Sequence, residues 1–118
     1  MAQRNASNPK AVEAATRLAK RRADREAGDL RWLMSDARGR RFIWKLLGNA
    51  GIFRTSFTGN SETFFREGAR SIGLQVFAEL HQVVPDAYLT MAKEAAALEA
   101  QEANEVNAAT PKTEDSDD

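Results

Sequence analysis

The chain has 118 residues, 42% of them hydrophobic and 29% charged, which suits one small domain with extensions and not two separate cores. No run of roughly 18 apolar residues is present, so we expect no membrane-spanning helix. The start of the chain lacks an apolar stretch behind its charges, so we expect no secretory signal. The absence of cysteine excludes disulfides, thiolate metal sites and cysteine nucleophiles.

The net charge is zero, but the charges are unevenly distributed along the chain. Residues 1–45 contain 12 of the 17 basic and 5 of the 17 acidic residues, a net charge of +7, and residues 46–118 carry the compensating −7. This asymmetry indicates an electrostatic partner for one or both halves. The alternative is that a basic helix and an acidic tail only keep the protein in solution, and the sequence leaves both interpretations open.

The positions of glycine and aromatic residues delimit the region that can form a core. All seven glycines lie between Gly28 and Gly73, and all nine aromatic residues lie between Trp32 and Tyr88. Large rings dominate core burial. The predicted segments are therefore a basic helical N-terminal extension (1–27), a helical core domain (28–98) and an acidic, flexible tail (99–118).

The first helix is predicted to begin at Asn8-Pro9, because Asn is a common N-cap and Pro fits the first turn. The Ala-rich run that follows has only a thin apolar stripe, so the helix is marginal unless a neighbour packs on it. We predict that Gly28 ends or loosens this helix. Asp29 then caps a short apolar helical turn at 30–34.

A second helix is predicted to begin at Ser35 or Asp36, which are both good N-caps. It ends at Gly48 or Gly51, since glycine favours helix C-termini. Its apolar residues recur at the spacing of a buried helical face. That face comprises Phe42, Ile43, Leu46 and Leu47, with Trp44 beside it.

The segment 52–57 alternates briefly as a strand does, but it has no evident partner strand, and a sheet needs more than one. We predict a loop that buries its apolar members, Ile52, Phe53 and Phe57. Asn60 or Ser61 then caps the longest helix. Its apolar face comprises Phe65, Ala69, Ile72, Val76 and Leu80, widened by Phe64, Gly68 and Phe77.

Two glycines lie inside this long helix, Gly68 and Gly73. Each costs roughly 1 kcal/mol relative to alanine, which predicts a helix crossing or an oligomer contact where another backbone comes close. Pro85 breaks the helix and begins the last one. The apolar side of that last helix comprises Tyr88, Met91, Ala95 and Leu98. The predicted fold is all-α: a small helical bundle with helical or disordered extensions at both ends.

Most of the residues needed for catalysis are missing. No glycine-rich phosphate loop of a known type is present, and the single imidazole, His81, lies near a helix end, where an interfacial or dipole-facing role is expected. Glu62 with Arg66 and Glu67 with Arg70 are better explained as surface pairs than as parts of a carboxylate dyad. We therefore predict a protein that is not an enzyme and binds no metal or cofactor.

Two clusters of basic residues are candidate binding sites for a partner or for DNA. The first comprises Arg17, Lys20, Arg21, Arg22 and Arg25. The second comprises Arg38, Arg40, Arg41 and Lys45. Cations along one helix are expected of a protein that binds nucleic-acid phosphates, but no known nucleic-acid-binding motif accompanies them. The alternative, which we favour, is that the first cluster is a solvated face or pairs with the acidic tail of a neighbouring subunit.

Four segments of the core region carry a recognisable pattern: DLRWLMS at 29–35, GRRFIWKLLGNAGIF at 39–53, FREGARSIGL at 65–74, and Tyr88 with MAKEA at 91–95. Together they resemble a family of small virion or assembly proteins of tailed bacteriophages, first noted in a Bordetella podophage. The resemblance covers more than half of the chain and leaves both extensions outside.

The resemblance implies a virion protein, made in the cytoplasm of the bacterial host, with no known catalytic residues. We expect several copies near the portal or tail, or among the internal proteins ejected with the genome, with other virion proteins as partners. The alternative is a DNA-binding or scaffolding accessory in head assembly and DNA packaging. Within the shared motifs, Glu67, Arg70 and Arg41 are expected to form a charged network at the glycine crossing. Asp29 and Arg31 can join it.

Overall fold

The computed structural model describes residues 8–54 and 62–110. Four helices follow one another in these two ranges: α1 (Pro9–Met34), α2 (Ala37–Ala50), α3 (Glu62–Val83) and α4 (Pro85–Ala109). The described residues contain no strand, and the prediction of an all-α fold is confirmed. The predicted caps Asn60 and Ser61, and Phe57 of the predicted loop, lie outside the described residues.

Helix α1 begins where the sequence predicts and continues further than predicted. The Asn8 side chain accepts hydrogen bonds from the backbone N–H groups two and three residues ahead, at 2.9 and 3.3 Å. The prediction that Gly28 ends the helix and that Asp29 caps a new turn is wrong, because α1 runs unbroken to Met34. The cost of one helical glycine, about 1 kcal/mol, is offset by the packing of the last turns of α1 against the core.

Two residues connect α1 to α2. The Ser35 hydroxyl donates to a carbonyl three residues back at 2.7 Å. Asp36, one of the two predicted caps, begins α2 by accepting a hydrogen bond from the Arg38 backbone N–H at 2.7 Å. The turn brings the helices so close that a Cβ atom at Gly39 would overlap the carbonyl oxygen of Leu33. Glycine is therefore required at this position.

The core is small and draws on all four helices. Its buried hydrophobic side chains are Met34, Ile43, Leu47, Ile52, Leu80 and Met91. Burial of Ile52 agrees with the sequence analysis, whereas Phe53 is exposed. Gly51, in the left-handed conformation with φ 79°, ends α2 as predicted, and Gly48 lies inside the helix.

Helix α2 packs through a narrower face than the sequence predicts. Ile43 and Leu47, which are one turn apart, are buried. Phe42 is 54% exposed, and Leu46 is also exposed, so the predicted burial of these two side chains is wrong. The neighbouring helices cover one ridge of α2 and leave the flanking position of Phe42 open, because residues one position apart point about 100° away from each other on a helix.

Helix α3 also packs through a face that differs from the predicted one. Leu80 is buried, and Val76 and Phe77 pack against the core as predicted. Phe65 and Ile72, which are part of the predicted face, are 77% and 60% exposed. The C-terminal half of α3 therefore carries its contacts with the core, and its first turns present large apolar side chains outward.

A close crossing at Gly73 accounts for this orientation of α3. A Cβ atom at Gly73 would lie 2.6 Å from the Cβ of Ala50 and 2.7 Å from the Cγ2 of Ile52. The end of α2 therefore rests directly on the backbone of α3. At Gly68, the other glycine predicted to lie at a crossing, a Cβ atom would have no neighbour within 4 Å in the described ranges, so the crossing predicted there is not found.

Helix α4 begins at Pro85, as predicted. Met91 is buried, Tyr88 and Ala95 are half-buried, and Leu98 at the end of the predicted face is exposed. The Tyr88 ring lies within 6.5 Å, between centroids, of the rings of Trp44, Phe77 and His81. These aromatic contacts join α2, α3 and α4 beside the small core.

Helices α1 and α4, the first and the last of the described chain, extend well beyond this core. The molecule measures 89 × 40 × 15 Å with a radius of gyration of 22.6 Å, against about 13–14 Å for a compact domain of this length. Apart from half-buried Leu18, every side chain of α1 before Ala27 is exposed, and so is every side chain of α4 after Ala95. None of the helices in the described ranges is both long and apolar enough to span a bilayer.

The predicted division into segments 1–27, 28–98 and 99–118 stays a prediction. Its two boundaries fall inside the continuous helices α1 and α4. Residues 111–118 of the predicted flexible tail lie outside the described residues.

Alanine substitutions at glycine are expected to separate the close crossings from an open helix position. Gly39→Ala and Gly73→Ala each overfill a crossing and lower the free energy of unfolding by about 1–3 kcal/mol. Gly28→Ala is the matched control: no described atom lies within 4 Å of its Cβ position, so helix propensity alone raises stability by about 1 kcal/mol. Urea denaturation followed by circular dichroism measures the free energy of unfolding of the three variants. If Gly39→Ala and Gly73→Ala were both as stable as the wild type, the close packing at the two glycines would be contradicted.

Candidate partner-binding surfaces

The first basic cluster lies on the exposed half of α1. Arg17, Arg21 and Arg25 are one helical turn apart and form a row, since residues four positions apart stack along a helix. Lys20 forms an ion pair with Asp24 in the next turn, with Nζ 3.2 Å from Oδ2 and both side chains exposed. The structure therefore brings these cations together on a solvent-facing helix, and their binding of a partner or DNA stays a prediction.

The side of α1 away from the arginine row is mainly apolar, with Thr16 and Glu26 as its polar members. On a helical projection, Val12, Ala15, Ala19 and Ala23 lie on the same side as Met34, which packs in the core. All four of these side chains are exposed. We call them the alanine stripe: an extension of the packing face of α1 that no described residue of the same chain covers.

The second basic cluster does not form a single surface. The Arg38 guanidinium pairs with the cap residue Asp36, with Nη2 3.0 Å from Oδ2. The Lys45 ammonium lies 5.4 Å from the centroid of the Phe42 ring. Arg40 is turned inward, with its side chain only 15% exposed. Arg38, Lys45 and Arg40 therefore each contact a different group of the same chain. Although they are close in the sequence, they do not face one common surface.

Arg40 joins three helices through hydrogen bonds. Its Nε and Nη2 donate to the two carboxylate oxygens of Glu94 on α4 at 2.8 and 2.9 Å. Its Nη1 donates to the carbonyl oxygen of Met34 at the end of α1, at 2.8 Å. A bidentate arginine–carboxylate pair is directional, so Arg40 holds α4 in a defined position beside the α1–α2 turn.

These hydrogen bonds change the acidity of the carboxylates. Hydrogen bonding from Arg40 is the main cause that lowers the pKa of Glu94 below its ordinary value, and the charges of Arg40 and Arg41 act in the same direction. The same pairing raises the pKa of Arg40. Hydrogen bonds from the side chain and backbone of Arg38 hold the pKa of Asp36 well below its usual range. Both carboxylates are therefore ionised at neutral pH.

The charged network predicted at the glycine crossing is not found. Among the described residues, no ion pair joins Glu67, Arg70 and Arg41, and none involves Asp29 or Arg31. The physical reason is that Arg41 lies beside α4, where it lines a groove with Glu94, whereas Glu67 and Arg70 belong to α3. The Nε of Arg70 is buried without a hydrogen-bond partner in the described part of the chain.

The remaining titratable groups of α3 make local contacts. The His81 Nδ1 lies 2.9 Å from the carbonyl oxygen of Phe77, and the ring packs against those of Phe77 and Tyr88 with centroids 4.3 and 4.4 Å away. Glu62 and Arg66 form the predicted surface pair at 3.4 Å. Within the ranges that the structure describes, no group of three or more acidic or histidine side chains is placed to hold a metal ion.

A groove of about 510 Å³ lies between α2 and the C-terminal half of α4. Its apolar lining comprises Ala37, Trp44, Met91, Ala95 and Leu98, and its charged lining comprises Arg41, Glu94, Glu99 and Glu102. We call it the α2–α4 groove. Glu94 is paired with Arg40, and the other two carboxylates on the α4 wall, those of Glu99 and Glu102, form no ion pair with any described residue.

Glu94 positions the groove and Gly39 the α1–α2 turn, and neither role follows from the sequence patterns. Glu94 lies 54 positions from Arg40, and no local spacing rule indicates such a pair. Gly39 offers a weak signal in the sequence. It lies in the first turn of a helix, three residues after the Asp36 cap, where alanine would be the better helix former.

We expect the protein to become less stable as the pH is lowered, because protonation of Glu94 breaks its ion pair with Arg40. A carboxylate whose pKa is lowered by folding stabilises the native state above its unfolded pKa, and this contribution is lost as the pH falls through the folded pKa. The melting temperature should therefore decrease once the pH is below about 4.5. Glu94→Gln should lower the melting temperature at pH 7 and make its decrease on acidification smaller. Glu79→Gln, at an exposed residue without an ion pair in the described ranges, is the control. Equal acid sensitivity of Glu94→Gln and the wild type would contradict this role.

Comparison with family profiles matches residues 30–93 to the family described as Bbp19-like phage protein. This range contains the α1–α2 turn, all of α2 and α3, and the buried core residues. It includes Arg40 and ends one residue before Glu94. Neither the curated proteins nor the solved structures contain a significant match. The matched range is more than half of the chain and confirms the resemblance seen in the sequence, although it does not test the podophage origin. The chain belongs to the family of Bbp19-like phage proteins.

Proposed function

We propose that this phage protein is a non-enzymatic structural component of the virion, present in several copies beside the portal or tail or among the internal proteins ejected with the genome. The observation that carries the proposal is the imbalance between a small core and a large exposed apolar surface. Among the described residues, six hydrophobic side chains are buried in the core, whereas twelve large hydrophobic side chains are exposed, including Trp32, Phe64 and Phe65. Apolar surface of this extent favours an interaction site.

The chemistry of the described residues supports a role without catalysis. The single imidazole is held among aromatic rings, and the bidentate ion pair between Arg40 and Glu94 holds helices together. Such pairs occur in structural networks as well as in active sites. Family membership supports phage proteins as the partners.

Mass spectrometry of purified particles tests the proposal. We expect the protein in mature virions at a constant number of copies per particle. A scaffolding protein would instead be present in proheads and missing from mature particles. Absence from both would remove the proposal of a structural role.

A second candidate function is DNA binding in head assembly or packaging. The observation that favours it is the row of Arg17, Arg21 and Arg25 on the exposed half of α1. Such a row matches the spacing of a helix lying along a phosphate backbone without reading the bases. The neighbouring acidic half of the chain opposes DNA binding, so we place this candidate second.

A salt titration of binding to duplex DNA tests the second candidate. If the arginine row contacts phosphates, the affinity falls steeply as salt rises, with a slope of about −0.9 per phosphate contacted. Substituting all three arginines by glutamine should reduce that slope by about 3. Arg54→Gln, away from the row, is the control. Binding that is undetectable at low salt, or unchanged by the triple substitution, would remove this candidate.

A further inference from the structure

We propose that the α2–α4 groove binds the basic first half of α1 from a second copy of this chain. The inference goes beyond the proposed function, because it names the contact and the partner surface within the assembly. It concerns the purified protein alone and holds or fails independently of where the protein acts in the phage.

The groove continues along the core-facing side of α4 after its neighbouring helices end. Tyr88, Met91 and Ala95 lie on this side and pack against α2 and α3. Continued at helical spacing, the same side carries Leu98, then the carboxylate of Glu102, and then Val106, which is 64% exposed. A packing face therefore extends beyond the elements of the same chain that cover its beginning.

The charge of this part of α4 selects the occupant. Residues 94–109 carry four carboxylates, those of Glu94, Glu99, Glu102 and Glu105, and no basic side chain. Only Glu94 is neutralised by an ion pair among the described residues. A helix that binds here must therefore be apolar on one side and basic at the edges of that side.

The first half of α1 has this pattern. The alanine stripe lies on one side of the helix, with Lys20 and Arg22 on its two borders at about 65–95° by helical projection. Residues 9–27 carry six basic and three acidic side chains. Small side chains allow two helices to approach closely, as the crossings at Gly39 and Gly73 do elsewhere in the fold. The flanking cations then face Glu99 and Glu102.

The occupant must come from another copy because α1 is one continuous helix. Its 26 residues span about 39 Å at 1.5 Å per residue, and its end is held in the core by Met34. Folding its first half back into the groove of the same chain would break the helix. Each copy offers one basic helix and one groove, so two copies can exchange helices about a two-fold axis, or successive copies can form a ring.

Charge reversal on each surface tests the contact. Lys20→Glu with Arg22→Glu makes one variant, and Glu99→Lys with Glu102→Lys makes the other; all these residues are good helix formers. Sedimentation equilibrium of the wild type at about 50 mM NaCl should show dimers or larger assemblies that weaken as salt rises. Each variant alone should raise the dissociation constant by roughly tenfold or more, since like charges then face each other.

Mixing the two variants distinguishes this contact from a general effect of charge. In a mixture, the acidic α1 of one variant meets the basic groove of the other, and the converse pair is also complementary, so a mixed assembly should form with affinity within about threefold of the wild type. Glu79→Lys with Lys93→Glu, which reverses two charges away from both surfaces, is the matched control and should leave the assembly unchanged.

Disulfide trapping locates the contact independently, because the chain has no cysteine. A chain with Ala19→Cys mixed with a chain with Leu98→Cys should form a mixed disulfide on oxidation, and Ala19→Cys mixed with Lys93→Cys should not. A wild type that is monomeric at low salt and high concentration would overturn the proposal. Assemblies that survive both charge reversals would overturn it as well, since another surface would then hold the copies together.

Discussion

Helix α2 lies against the other three helices, and it approaches two of them more closely than a side chain permits. At Gly39 the carbonyl of Leu33 occupies the space of a Cβ atom. At Gly73 that space is occupied by the side chains of Ala50, the last residue of α2, and of Ile52, which follows it. Neither crossing leaves room for a side chain larger than that of glycine. The close crossings therefore determine the relative positions of the helices, and the buried side chains fill what space remains.

The polar contacts of Arg40 extend this arrangement to α4. Hydrogen bonds to Glu94 and to the carbonyl of Met34 fix α4 against the α1–α2 turn and so set one edge of the α2–α4 groove. After Ala95 every side chain of α4 in the described chain is exposed, and so are the side chains of the first half of α1 apart from half-buried Leu18. These two segments carry opposite charge and exposed apolar residues, and the proposed contact between two copies of the chain rests on this combination.

The sequence by itself determined the helical class and several helix boundaries. Asn8 and Asp36 cap α1 and α2, Gly51 ends α2, and Pro85 begins α4. These signals work because caps and helix breakers act on backbone groups within about four positions. The separation of basic and acidic residues is likewise a property of the sequence, and so is the resemblance to the phage family that residues 30–93 confirm.

Only the tertiary structure decided which apolar side chains are buried and which arginine turns inward. Periodicity predicted burial of Phe42 and Phe65, because a helical pattern defines an apolar side and not the width that neighbours cover. The continuation of α1 past Gly28 depended on packing that lies after the glycine. The Arg40–Glu94 pair and the groove beside it join positions far apart in the chain, and contacts between distant residues follow from how helices pack, which no local spacing of residue types records.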